Sequence, residues 1–305
     1  MERSVPILAL VGATASGKGE LARELADATG ASLVSVDSRK IYRGLDIGTA
    51  KPSTEIQARY HFAMIDIVDP DQSFSAGEYA RRARAVVAER LARGEKVILV
   101  GGTGFYLDAF INGLAGIPGI DPEVRESVLA KAEAEGWESV YGELCMADPE
   151  GAKAMEPNDK TRILRAVEVL RQTGRPISAW QTDVLPEKAP WEIQVHELRR
   201  PVAELNLRIA QRVDRMIKGG LIEETAALLD RGLSPASPGL TGVGYVEVIS
   251  FLAGRITQSR MLSDIVTHTR QYAKRQRTWF RHRVYVQPLE HEVDAKEQLI
   301  RRWLG

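Results

Sequence analysis

Residues 12–19 read Gly-Ala-Thr-Ala-Ser-Gly-Lys-Gly, between the apolar run Val5 to Val11 and a pattern that places Leu21 and Leu25 four residues apart. This is a strand, a glycine-rich loop and a helix in direct succession, an arrangement that favours a polyphosphate ligand. Gly12 and Gly17 let the backbone turn tightly and approach oxygen atoms with no Cβ in the way. Successive N–H groups around Ala15 to Gly17 line a concave anion site, the helix adds its positive N-terminal end, and Lys18 brings a mobile cation to the terminal phosphate. The phosphate-binding set read here is Gly12, Ala13, Thr14, Ala15, Ser16, Gly17, Lys18 and Gly19. The P-loop pattern has Ser or Thr at the last position, whose hydroxyl ligates Mg²⁺, where this chain has Gly19. A plain strand-to-helix turn is the simpler reading, and the Gly-x4-Gly-Lys spacing in this context outweighs it.

Helix one is expected from about Lys18 to Ala28, stopped by Gly30. Leu33 to Val36 reads as a buried strand next to the P-loop strand, and it ends at Asp37-Ser38. A carboxylate at the carboxyl end of a parallel strand faces the ligand crevice of a doubly wound sheet. Asp37 can therefore be a Mg²⁺ ligand, a general base or the cap of the next turn. Arg39 to Pro52 is a loop rich in cations and glycine. Met64 to Val68 reads as a strand, and Ser75 caps a helix through about Arg93 with Tyr79, Ala83, Val86, Val87 and Leu91 on its buried stripe. Lys96 to Val100, apolar without alternation, predicts a strand covered on both faces. It runs into a second glycine turn, Gly101 to Tyr106, in which Thr103 can offer its hydroxyl to a substrate or cap a helix.

From Gly116 the β–α alternation stops. Asp121-Pro122-Glu123 opens a series of four short helices, and Gly174 to Pro176 and Pro186 to Pro190 mark its exit. The reading is a core of residues 1–120 and 190–305 with an insertion domain over 121–189. Glu192 to Leu198 returns as a strand, followed by helices over Val202 to Lys218 and Ile222 to Arg231. A glycine-rich loop spans Gly239 to Tyr245. The predicted class is α/β: a P-loop NTPase-like parallel sheet flanked by helices, with an all-helical insertion domain.

The chain holds 41 Lys plus Arg against 41 Asp plus Glu, so bulk charge names no partner. Charge is segregated locally instead. On the helix expected from Ser259 to Arg283, Arg270, Lys274, Arg277 and Arg281 recur at four, three and four residues, with Tyr272, Trp279 and Phe280 among them. That face suits RNA, by phosphate pairing and base stacking; a solvated helix face is the alternative. Cys145 is the only cysteine, no stretch is long enough to span a membrane, and a cytoplasmic monomer is expected. Read without the rest, the P-loop suggests an ATP-dependent small-molecule kinase. Gly19, the size of the insertion and the basic helix argue against that.

Taken together, these strings resemble the tRNA dimethylallyltransferase (tRNA isopentenyltransferase) family over nearly the whole chain. The resemblance rests on Gly12 to Lys18, Ser35 to Ser38 with Ile41 to Gly44, Asp46 to Pro52, and Gly101 to Tyr106. It continues through Asn158-Asp159 with Arg162 and Arg165, Gly242 to Tyr245, and Tyr272 to Gln276 followed by Thr278 to Arg281. The resemblance implies transfer of a dimethylallyl group from dimethylallyl diphosphate to the N6 amine of the adenine 3′ of the anticodon in tRNAs reading U-initial codons, with Mg²⁺ near Ser16, Lys18, Gly19 and Asp37. The P-loop would then hold the diphosphate. Asp37, Lys18 and Thr103 would be catalytic, Asp37 as general base.

By the same resemblance, tRNA would be contacted by Asp37, Ser38, Arg39, Lys40, Thr103, Arg125, Thr161, Arg162, Ile163, Leu164, Arg165, Gly244, Tyr245, Lys274, Arg275, Gln276, Arg277, Trp279 and Arg281. The insertion would grip the anticodon stem-loop. Ala13, Gly19, Lys40 and Val246 depart from the family's usual Pro, Thr, Gln and Lys or Arg, and the middle two bear on metal binding and adenine recognition. A non-catalytic RNA-binding protein with a decayed P-loop is the rival of a different class.

Overall fold

The computed structural model describes residues 6–183, 187–290 and 294–304. Val5 and Pro186, which belong to two segments named above, lie outside them. The chain divides into two compact units, Met1–Ile111 with Ala189–Gly305, and Asn112–Lys188.

The first unit is built on five parallel strands: β1 (Ile7–Val11), β2 (Ser32–Val36), β3 (Val97–Gly101), β4 (Ile193–Arg199) and β5 (Val286–Glu290), in the order β2-β3-β1-β4-β5. β1 shows why its sequence does not alternate. Ile7, Ala9 and Val11 pack into the layer formed with α3 (Ala76–Ala92) and α4 (Gly104–Asn112), whereas Leu8 and Leu10 pack into the opposite layer with α1 (Lys18–Thr29) and α14 (Ala295–Leu304). Both faces are covered, so both sets of side chains are apolar. Gly30 ends α1 in the left-handed conformation at φ 71°, and the Ser75 hydroxyl accepts the Glu78 N–H at the start of α3.

Three expectations for this unit are corrected. β2 is not beside β1: β3 lies between them, which inserts the second glycine turn between the P-loop and Asp37. Met64 to Val68 is not a strand, because Met64 and Asp66 adopt φ 62° and 54° and only isolated bridges at Ala63 and Val68 reach neighbouring chain segments. β5 and α14 were not foreseen. β5 is an edge strand carrying Pro288, which an edge tolerates because the missing N–H has no partner to lose.

The remaining helices of the first unit are α2 (Thr54–Arg59), α10 (Val202–Lys218), α11 (Leu221–Asp230), α12 (Tyr245–Leu252) and α13 (Gln258–Arg281). α10 to α13 enclose a separate apolar cluster around Ile41, Leu45, Val213, Tyr245 and Ile265, whereas Ile56 of α2 packs against the α1 and α14 layer.

The second unit contains five described helices rather than four: α5 (Pro122–Glu135), α6 (Trp137–Ala147), α7 (Pro149–Lys153), α8 (Lys160–Thr173) and α9 (Ile177–Asp183). Their core is Val128, Val140, Leu144, Ile163, Val167 and Ile177. The unit begins ahead of the Asp121 boundary because Ile117 and Ile120 pack against that core.

Candidate active site

The loop after β1 is shaped by left-handed residues, Ala15 at φ 63° and Gly17 at φ 96°. A Cβ at Gly12 would meet the Leu198 carbonyl oxygen at 2.8 Å, so the first glycine is required by the approach of β4. Carbonyls of the loop are held from outside: Arg208 donates to Ala15 O at 2.8 Å and Arg200 to Ser16 O at 2.5 Å. The first turn of α1 brings the positive end of the helix dipole to the same place. Lys18 folds back to donate to Ala13 O at 3.0 Å, and the Ser16 hydroxyl accepts the Lys18 N–H at 3.4 Å.

Beside this loop opens a cavity of about 470 Å³. Among the described residues, seven cationic side chains line it: Lys18, Arg23, Lys40, Lys51, Arg208, Arg212 and Arg215. Only two carboxylates, Glu20 and Asp37, face them. The crowding shows in the ionisation of the group at its centre. Burial, with the neighbouring Lys40 charge, pushes Lys18 down to about 7, while Asp37 opposes the shift. Lys40 and Arg212 are lowered in the same direction, again by burial first. With more cations than carboxylates in its described lining, the cavity has a field that attracts anions.

Asp37 caps the turn that follows it: Oδ1 accepts the N–H groups of Arg39 at 2.9 Å and Lys40 at 3.3 Å. Both bonds go to one oxygen. Thr103 is brought to the same strand ends, where its hydroxyl accepts the Ser38 N–H at 3.0 Å. Tyr272, in hydrogen-bond contact with Thr103, is raised to about 12 by burial and by the Asp37 charge. The P-loop, Asp37, Ser38, Lys40, Thr103 and Gln276 thus converge at the carboxyl ends of β1, β2 and β3.

Other residues named from the sequence are placed differently. Arg39 turns away to hold Pro238 O and the Thr241 hydroxyl. Gly244, at φ 101°, caps α12, and Tyr245 is buried with its hydroxyl on Glu224 at 2.6 Å. On α13, Lys274, Arg275 and Arg281 are exposed, and Arg277 and Trp279 are half-buried. Gln276 is buried. In the helical unit, Thr161 and Arg162 are exposed, whereas Ile163 and Leu164 belong to its core, so their side chains are not RNA contacts. Arg125 pairs with the buried Glu168 at 3.0 Å, and Arg165 donates to Pro118 O.

Five lining cations were missed in the sequence: Arg23, Lys51, Arg208, Arg212 and Arg215. The signal for three of them was present, since Arg208, Arg212 and Arg215 recur at four and three residues on α10, on a stripe flanking the buried Leu205, Ile209 and Val213. Lys51 has no such signal. Its ammonium is drawn inside by Tyr42 O at 2.8 Å and by Asp46 and Asp66 at 2.5 Å each.

Comparison with known proteins agrees with this geometry. The family model described as IPP transferase matches residues 40–283. A tRNA dimethylallyltransferase of Geobacter sulfurreducens is 42 % identical over 275 residues, 90 % of this chain and 88 % of that protein. One from Myxococcus xanthus is 43 % identical over 279 residues, 90 % of each. The solved structure of the full-length tRNA isopentenylpyrophosphate transferase of Bacillus halodurans matches with a TM-score of 0.71 at 32 % identity, over 98 % of this chain and 95 % of that one. A eukaryotic dimethylallyltransferase acting on tRNA, at 22 % identity and a TM-score of 0.79, over 96 % of this chain and 77 % of that one, shares the fold. The chain belongs to the IPP transferase family.

Proposed function

We propose that this chain transfers a dimethylallyl group from dimethylallyl diphosphate to tRNA, at the exocyclic N6 amine of the adenine 3′ of the anticodon in tRNAs reading U-initial codons. The observation that carries the donor half is the cavity beside a helix N-terminus in which six cations, apart from a Lys51 already paired with Asp46 and Asp66, meet two carboxylates. That surplus suits a leaving diphosphate, whose charge grows as the bond to carbon breaks. N6 attacks C1 of the prenyl group, the C1–O bond breaks with its electron pair going to diphosphate, and the N6 proton passes to Asp37. Asp37 Oδ1 already carries two backbone N–H bonds, which leaves Oδ2 for that proton. A positioned base of this kind contributes on the order of 10² to 10⁴-fold.

Mg²⁺ fits the donor set as a partner of the diphosphate rather than as the occupant of a protein cage. With Asp37 assigned to the N6 proton, Ser16 offers one hydroxyl, and among the described residues no group of three or more His, Cys, Asp or Glu could hold a metal. Such an ion takes most of its shell from phosphate oxygens and water. When bound it supplies further neutralisation of the leaving group.

The target adenine must leave its stack to reach the cavity. Within the first unit the exposed Lys274, Arg275 and Arg281 of α13 are RNA-binding candidates, and within the second unit the exposed Thr161 and Arg162 of α8 are candidates of their own. Among the described residues, no helix is long and apolar enough to cross a membrane. The reading is tested by diphosphate release from dimethylallyl diphosphate, which should depend on tRNA. Release without tRNA, or phosphorylation of a small acceptor from ATP, would favour different chemistry.

A further inference from the structure

Gln276 stands on α13 between the exposed Arg275 and the half-buried Arg277, yet its own side chain is only 6 % exposed. Its amide spans the two glycine turns: Oε1 accepts the Thr14 N–H at 2.8 Å, and Nε2 donates to Gly102 O at 2.8 Å. Only this orientation of the amide gives a donor an acceptor at both ends. The fit leaves no slack, since a Cβ at Gly102 would meet Nε2 at 2.2 Å. The helix whose outer face carries the exposed cations is therefore bolted to the phosphate loop after β1 and to the turn after β3.

We propose that Gln276 is a positioning residue of the diphosphate loop and not an RNA contact. By holding the Thr14 N–H it withdraws that amide from the ligand and fixes the Ala13–Thr14 peptide, one residue ahead of the left-handed Ala15 from which the following amides take their direction. The proposal rests on the reading of residues 12–19 as a diphosphate cradle. It does not depend on which molecule accepts the prenyl group. An apolar side chain of similar length would leave the Thr14 N–H and the Gly102 carbonyl without partners.

The test measures binding of inorganic diphosphate and of a tRNA anticodon stem-loop, by calorimetry, to the full chain and its variants. Gln276→Met should weaken diphosphate binding about tenfold or more while stem-loop affinity stays within about twofold. Arg281→Ala should do the reverse. Gln276→Glu gives a second reading if Gln276→Met does not fold. Its carboxylate has no proton for Gly102 O near neutral pH, and diphosphate affinity relative to wild type should recover as the pH falls toward about 5 and the carboxyl gains that proton. A Gln276→Met variant that binds diphosphate as tightly as wild type, or that loses only stem-loop affinity, overturns the assignment. So does a Gln276→Glu variant with no pH-dependent recovery. A wild-type chain that binds no diphosphate overturns the cradle reading itself, and is thereby distinguished from failure of the Gln276 assignment alone.

Discussion

Ser38 donates its backbone N–H to the hydroxyl of Thr103 across 3.0 Å, which ties the end of β2 to the turn after β3. Asp37 is the chain neighbour of that bond, and its carboxylate is oriented by the Arg39 and Lys40 N–H groups of the turn it caps. The base and the second glycine turn are thus one assembly rather than two adjacent features. Asp37→Ala should lower turnover by about 10² to 10⁴-fold while tRNA affinity changes little. Single-turnover rates beside stem-loop binding curves check this. A large loss of affinity with turnover preserved at saturation would make Asp37 a binding residue.

Lys18 links the cavity to pH. In the free protein it is held at about 7, by burial first and then by Lys40. A bound diphosphate favours the charged form, so the lysine pKa rises on binding. Sign follows from that difference: below about 7 the lysine is already charged, and above it binding must take up a proton. Diphosphate affinity should therefore weaken as the pH rises past about 7, with uptake of up to about one proton near pH 8. Calorimetry in two buffers of different ionisation enthalpy measures the uptake. No uptake at that pH would contradict the shift.

Gly19 offers room for the hydroxyl that it lacks. A Cβ there meets nothing within 4 Å. Gly19→Thr should fold normally and lower the Mg²⁺ concentration needed for half-maximal activity, by about threefold to tenfold for one added oxygen ligand. Titration of activity with Mg²⁺ checks it, and an unchanged midpoint would mean that position 19 does not reach the metal.

Glu224 organises the loop that carries Lys51 to the cavity. Its carboxylate accepts the N–H groups of Asp46 at 2.9 Å, Ile47 at 2.8 Å and Gly48 at 3.2 Å, together with the Tyr245 hydroxyl. Removing an acceptor shared by several part-buried donors costs about 1–3 kcal/mol, and more where that acceptor is charged. Glu224→Ala should destabilise the chain by about that amount, and Tyr245→Phe by roughly 1 kcal/mol. Urea unfolding with unchanged slope tests both. Equal stability of Glu224→Ala and wild type would remove the carboxylate from this role.

What was legible in the sequence follows from the range of the interactions that write it. The P-loop, the β1 and β3 strands and the capped α3 are local patterns of glycine, apolar run and Ser75, and each forms where those patterns lie. Asp37 was legible as a strand-end carboxylate, but its separation from β1 by β3 is a matter of strand order, which no local pattern encodes. The bend at Met64 and Asp66 hides in a short, mostly apolar run that reads as a strand. Its left-handed residues are accompanied by the Lys51–Asp66 pair, fifteen residues apart. Gln276 was read with its cationic neighbours on α13, because periodicity assigns a face but not the partner that face meets. The Arg208, Arg212 and Arg215 stripe on α10 was readable by the same rule that exposed the α13 stripe, and it is the feature that most enlarges the site.

The central claim is prenyl transfer to one adenine. The most direct measurement incubates the folded chain with dimethylallyl diphosphate labelled in its prenyl carbons and an unmodified anticodon stem-loop of a tRNA reading U-initial codons, then locates the label by nucleoside analysis. The expected result is label on N6 of the adenine 3′ of the anticodon, and none when that adenine is replaced by guanine. Folded protein that leaves the stem-loop unlabelled, or that labels another nucleotide, would contradict it.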